Sequence, residues 1–154
     1  MIRICNHSTN IFQEAINHCR WKKALHNVLQ EINISNYEDK IFEEIINEVY
    51  SICENIRGIG LLTVYDITSA ICRYYNINIE KVYIIGNGPK RAVALLHMKT
   101  KKQKINDKIN ISYVDISDVI HAFANIHYDI DETIRNTNNG DIIETYLCNW
   151  QKSR

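Results

Sequence analysis

Along most of this chain, apolar residues recur in steps of three and four, the spacing that lines one face of an α-helix. The longest such stripe is Ile41, Ile45, Val49, Ile52 and Ile56, widened by Phe42, Ile46 and Cys53. It predicts an amphipathic helix over about 38–55 whose outer face carries Glu43, Glu44 and Glu48. Val64, Ile67, Ile71 and Tyr74 predict a second helix that ends near Tyr75. Upstream, Ser8 or Thr9 caps a first helix carrying Phe12, Ala15, Ile16 and Cys19. A further helical run follows, with Trp21, Leu25, Val28, Leu29 and Ile32 on its inner side.

Downstream the pattern is shorter. Val82-Tyr83-Ile84-Ile85 is β-prone but too brief to imply a sheet, and reads as a buried extended connector. Pro89 suits the first position of a helix whose apolar side is Ala92, Val93, Leu95 and Leu96. Residues 99–110 are polar and lysine-rich and read as a loop or extended connection. A helix capped by Asp115 or Ser117 holds Ile116, Val119, Ile120, Phe123 and Ala124. The last helix starts near Asp141 and presents Ile142, Ile143, Tyr146, Leu147 and Trp150. One proline and five glycines in 154 residues favour helices with short connections. The expected fold is all-α, a compact multi-helix single domain over residues 1–154 with a tight helical hairpin at 41–75.

The turn of that hairpin is Ile56-Arg57-Gly58-Ile59-Gly60-Leu61. Glycine supplies the left-handed backbone that a short turn requires. It also leaves the N–H groups at the start of the next helix open to an anion. Ile56, Gly58, Ile59, Gly60, Thr63 and Val64 match the order of apolar residue, glycine, apolar residue, glycine, threonine and apolar residue. In that order the segment resembles the helix-hairpin-helix motif. The resemblance implies sequence-independent contact with a DNA backbone through Gly58, Ile59, Gly60, Leu61 and Thr63. A plain αα-corner, in which the glycines only end one helix and start the next, is the competing reading.

Net charge is zero, yet the charge is unevenly spread. Residues 80–108 hold eight cations (Lys81, Lys90, Arg91, Lys99, Lys101, Lys102, Lys104 and Lys108) against two acids, a balance of +6. Residues 111–150 hold seven acids against Arg135, a balance of −6. Lys81, Lys90, Arg91 and Lys99 are therefore expected to add attraction for phosphate, unless the basic segment is only a solvated loop. Gly86-Asn87-Gly88-Pro89-Lys90-Arg91 is a second glycine-containing turn before a helix, and a candidate anion site. Its spacing is neither a P-loop nor a dinucleotide fingerprint. Asp66, Arg73, Tyr83, Gly86, Asn87 and Gly88 are the candidates for a ligand pocket.

The layout is also similar to helix-hairpin-helix DNA glycosylases, in which the hairpin is followed by an apolar run, a catalytic Asp and a new helix. Here Tyr83-Ile84-Ile85 leads into Gly86 and Asn87, and neither can act as that carboxylate. The position of the lysine nucleophile in bifunctional members falls near Leu61–Leu62. The resemblance therefore implies the fold and DNA contact without the ordinary glycosylase mechanism. A family of small bacterial helix-hairpin-helix proteins, to which no activity is attached, is similar over Gly58–Asp66, Val82–Gly88 and Ile142–Cys148. That family has a His where Ile85 stands.

The function expected from these residues is binding to DNA, or another nucleic acid, without catalysis. One alternative is a divergent glycosylase-like or nucleotide-processing enzyme using Asp66 or Tyr65. Another is a structural or adaptor protein that self-associates through its opposite charges or docks on a partner chain. No cofactor or metal is expected. Cys5, Cys19, Cys53, Cys72 and Cys148 form no C-x-x-C pair, and His121 and His127 lack a ligand set. No apolar run approaches the roughly 18–20 residues of a membrane span, and the N-terminus lacks a signal-peptide core. The thiols read as reduced and the location as cytoplasmic.

Overall fold

The structure, a computed structural model, describes residues 28, 30–32 and 36–154. The helix expected to begin at Ser8 or Thr9, and most of the run from Trp21 to Leu29, lie outside the described residues. The chain divides into two compact units, one ending at Ile77 and the other spanning Asn78–Arg154.

In the first unit, α1 (Phe42–Cys53) and α2 (Leu61–Tyr74) pack against each other. α1 buries Ile45 and Val49 of the stripe read from the spacing, with Phe42, Ile46 and Cys53 beside them, whereas Ile41 is exposed and Ile52 and Ile56 are half-buried. Its first turn is closed by Glu44, whose carboxylate accepts the Ile41 N–H at 3.0 Å. α2 is buried along most of its length, including Thr68 and Ser69. Their hydroxyls donate to the carbonyls of Val64 and Tyr65, one turn back, so neither group is buried unsatisfied. Phe42 and Tyr65 meet edge to face at 6.0 Å between ring centres.

The second unit corrects the all-α expectation. It is mixed α/β, with β1 (Lys81–Tyr83), β2 (Lys101–Lys104) and β3 (Asn110–Asp115) in an antiparallel sheet of order β1-β3-β2. Its helices are α3 (Asn87–Leu95), α4 (Ile116–Asn125), α5 (Glu132–Asn136) and α6 (Gly140–Trp150), followed by a 3-10 turn at Gln151–Ser153. The register sets Val82 opposite Val114 and Tyr83 opposite Tyr113. Within the lysine-rich stretch read as a loop or extended connection, Lys101–Lys104 is a strand because β3 supplies its hydrogen-bond partners, with Lys102 opposite Ser112 and Lys104 opposite Asn110. Pairing from elsewhere in the chain overrides a weak local preference.

One face of the sheet joins the helices in a core built from Val82, Val114, Val93, Val119, Phe123, Ile143 and Leu147. Phe123 sits among Tyr128, Tyr146 and Trp150 at ring separations of 5.1–5.6 Å. Such aromatic pairs each add about 0.5–1.5 kcal/mol beyond the area they bury.

Three helices end the same way. After α2, α3 and α4, the residues Asn76, His97 and His127 take left-handed backbone, with φ of 53°, 53° and 55°. In each case the next N–H returns to a carbonyl five residues back: Ile77 to Cys72, Met98 to Val93 and Tyr128 to Phe123, all at 2.8–3.0 Å. These are Schellman motifs. His127 is thus a helix terminator, exposed to solvent.

α6 begins in tight quarters. The Gly140 N–H donates to the Ile79 carbonyl at 2.6 Å, and a Cβ at Gly140 would lie 1.9 Å from the Lys81 carbonyl oxygen. Gly140→Ala is therefore expected to destabilise the protein by at least about 1–3 kcal/mol, the cost of overpacking against backbone. Urea denaturation with an unchanged midpoint would contradict the close approach.

Two groups tie stability to alkaline pH. Burial, reinforced by the charge of Glu31, pushes the Cys53 thiol from its usual 9.0 up to about 11. Burial, then the neighbouring Tyr128, pushes Tyr146 from 10.0 up to about 12. Both neutral forms are favoured by the fold, so their contribution is complete below the unfolded values and fades as pH rises through the folded ones. Thermal midpoints should fall across this window, and Cys53→Ala should flatten the part between about 9 and 11. A Cys53→Ala profile parallel to the wild type there would refute the assignment.

Candidate nucleic-acid interface

The turn between α1 and α2 follows from a few backbone bonds. The Glu54 N–H donates to Tyr50 O at 2.8 Å and the Ile56 N–H to Cys53 O at 2.9 Å, which ends α1. The Ile59 N–H then donates to Ile56 O at 3.2 Å, closing a four-residue turn. Its third residue, Gly58, has φ of 91°, which an L side chain adopts only with strain. Gly60 caps α2 from an extended backbone, and the Val64 N–H donates to its carbonyl at 3.1 Å.

What lies between Gly60 and Val64 is the chemically open part. Among the described residues no side chain caps α2, its first turn contains no acid, and nothing lies within 4 Å of where a Gly60 Cβ would be. Gly58 and Gly60 are exposed, while Ile59, Leu61 and Thr63 are half-buried. The N–H groups of Leu61, Leu62 and Thr63 are the orphan donors of the helix start. With the helix dipole behind them, they form a suitable seat for one phosphate oxygen.

Local charge is nearly balanced, with exposed Glu54 and Arg57 flanking the turn. Glu43 and Glu44 occupy the far end of the 12-residue α1. That is roughly 18 Å away along the axis. At physiological salt, where screening acts over about 8 Å, they matter little at the turn. Glu48 is held by Lys40 at 2.5 Å.

The other expected residues are distributed as follows. Asp66 and Arg73 lie on α2, both half-buried and both engaged. Tyr65 is buried against Phe42. Tyr83 is buried on β1, its hydroxyl donating to Gln103 Oε1 at 2.9 Å. Lys81 Nζ donates to the same oxygen at 2.9 Å and lies 4.8 Å above the Tyr113 ring.

Gly86 is the buried cap of α3, and Asn87 is exposed. Gly88 is small for a packing reason, since a Cβ there would come within 2.5 Å of Cys148 Sγ. Arg91 is committed to the Arg154 carbonyl at 2.8 Å. Lys90 and Lys99 are exposed and make no ion pair among the described residues. Of the four cations named from sequence, the structure leaves these two outward and unengaged.

Sequence reasoning counted Lys102 in the basic segment without singling it out, and passed over Gln103. The signal was present as the alternation of β2 against β3, visible only once the strand pairing is known. Among the described residues, no group of three or more His, Cys, Asp or Glu side chains is arranged to hold a metal ion. No described helix is long and apolar enough to cross a membrane.

Comparison with protein-family models, with curated proteins and with solved structures gave no match.

The two glycines of the turn should respond differently to substitution. Gly58→Ala forces an L side chain into left-handed backbone and is expected to cost about 1–2 kcal/mol. Gly60→Ser meets open space and adds a capping hydroxyl, so stability should hold or rise by a few tenths of a kcal/mol. Equal losses in urea melts of the two variants would contradict this description of the turn.

Proposed function

We propose that this protein binds the sugar–phosphate backbone of DNA, seating a phosphate on the first turn of α2. Gly58 shapes the turn, Gly60 admits the anion, and the N–H groups from Leu61 to Thr63 hold it. This is the helix-hairpin-helix mode of contact suggested by the residue order of the turn. The observation that carries the reading is Gly60: an exposed helix cap with open space around it and no side chain closing the turn it begins. Arg57 supplies a cation on the turn itself. The proposed role is binding without catalysis, in a reducing cytoplasm.

Contact through peptide N–H groups carries no base information, so affinity should be insensitive to sequence and strongly weakened by salt. Gly60→Asp separates this role from folding. A carboxylate at the cap accepts the orphan N–H groups itself and repels a phosphate, while the extended backbone accommodates it without strain. Fluorescence anisotropy on a labelled duplex should show at least about a tenfold loss of affinity. The urea midpoint should stay level or rise. Undiminished binding by Gly60→Asp, or no binding by the wild type at low salt, would sink the proposal.

A further inference from the structure

β2 and the first half of β3 run past the end of β1. β1 pairs with Tyr113–Asp115, whereas Lys102, Gln103 and Lys104 pair with Ser112, Ile111 and Asn110. The result is a two-stranded ribbon. Its tip is closed by the Ile105 N–H on Ile109 O at 2.9 Å. Asn106 Oδ1 accepts the N–H groups of Lys108 and Ile109, both at 2.7 Å.

Strand alternation gives the ribbon two unlike faces. Gln103, Ile111 and Tyr113 share one side, and Ile111 is fully buried there. Lys101 belongs to this side and is bound by Asp115, with Asp118 at 3.6 Å. The opposite side carries Lys102, Lys104, Asn110 and Ser112, with the first three exposed; farther along the sheet the same side turns Val114 and Val82 to the helices. Lys102 makes no ion pair among the described residues, and Lys99 is exposed just ahead of the strand. The acids nearby are Asp115 and Asp118, engaged by Lys101, and Asp107, which is paired with Lys104 at 2.7 Å and almost fully exposed. An exposed pair of this kind contributes less than about 1 kcal/mol, so a phosphate can replace the carboxylate.

We infer that the lysine-bearing side of this ribbon, at its tip beyond Val114, is a second phosphate-binding surface, which takes the backbone of duplex nucleic acid through Lys102 and Lys104, with Lys99 just ahead of the strand. The inference rests on the nucleic-acid reading for its partner but uses none of the helical turn's residues. Lys102 and Lys104 are two strand steps apart, about 6.8 Å, and point the same way, so they can meet successive phosphates rather than compete for one. Asn110 and Ser112 beside them provide neutral donors of the type that accompany backbone contacts. A two-stranded ribbon also has the width a major groove admits. The face carries no aromatic ring on which unpaired bases would stack, which favours duplex over single strand.

The test is anisotropy over a salt series on a labelled duplex and on a single strand of the same length. The proteins are the wild type, Lys99→Gln/Lys102→Gln/Lys104→Gln, the corresponding triple Arg variant, and Gly60→Asp. The triple Gln variant should lower the slope of log affinity against log salt by about 0.9 for each lysine removed, and the triple Arg variant should keep it. Wild-type affinity should be higher for the duplex. If the triple Gln variant keeps the wild-type slope while Gly60→Asp loses affinity, the ribbon is excluded and the helical turn stands. If only the triple Gln variant loses affinity, the ribbon stands without the turn. A wild type that binds neither DNA, or that binds polyglutamate more tightly than duplex, overturns the inference.

Discussion

The second unit depends on one close approach of backbone to backbone. Gly140 gives its N–H to Ile79 O at 2.6 Å and leaves no room for a side chain beneath the Lys81 carbonyl. Because α6 starts there, its next turns carry Ile143, Leu147 and Trp150 into the core against the sheet. A second tight contact, Gly88 against Cys148, brings α3 onto the same helix. Two glycines that resemble loop punctuation in sequence are therefore the points where elements touch. Protein interiors are packed densely enough that a single added carbon at either point forces a neighbour to move.

Charge along the chain is a poor guide to charge available to a partner. The basic segment holds eight cations, but Lys101 is bound by Asp115, Lys104 by Asp107, Arg91 by a carbonyl and Lys81 by Gln103. What remains outward is concentrated ahead of and along β2 and at Lys90. The helical turn offers the opposite economy, with almost no net charge but several peptide dipoles aimed at one point. Such a site gives short-range affinity, whereas lysines act at longer range and set encounter rates.

Much of the helical structure was legible from spacing alone. The middle of the expected stripe, with Phe42, Ile45, Ile46, Val49 and Cys53, is the buried face of α1, while Ile41 at its start is exposed, and α2 ends within a residue of the expected point. Pro89 lies in the first turn of α3, and α6 starts at Gly140 beside the expected Asp141. The sheet was not legible. Lys101-Lys102-Gln103-Lys104 has no apolar alternation and owes its extended form to β3, while β1 and β3 are only 3 and 6 residues long. A period of two cannot be distinguished from chance over so few positions. For the candidate site, the Gly58–Gly60 turn was readable because backbone geometry demands glycine at Gly58. The partners that occupy Lys81 and Arg91 come from 22 and 63 residues away, beyond the reach of any local pattern.

The sheet also has a free margin at β2, and its composition governs what can extend it. Were two copies to meet there antiparallel, lysines would stand opposite or diagonal to lysines along most of the seam, a juxtaposition that opposes pairing. Among the described residues, electrostatic repulsion is thus what guards this margin against amyloid-like growth. That protection would weaken as salt screens it, so concentrated brine is the condition under which strand-to-strand stacking of this protein meets least resistance.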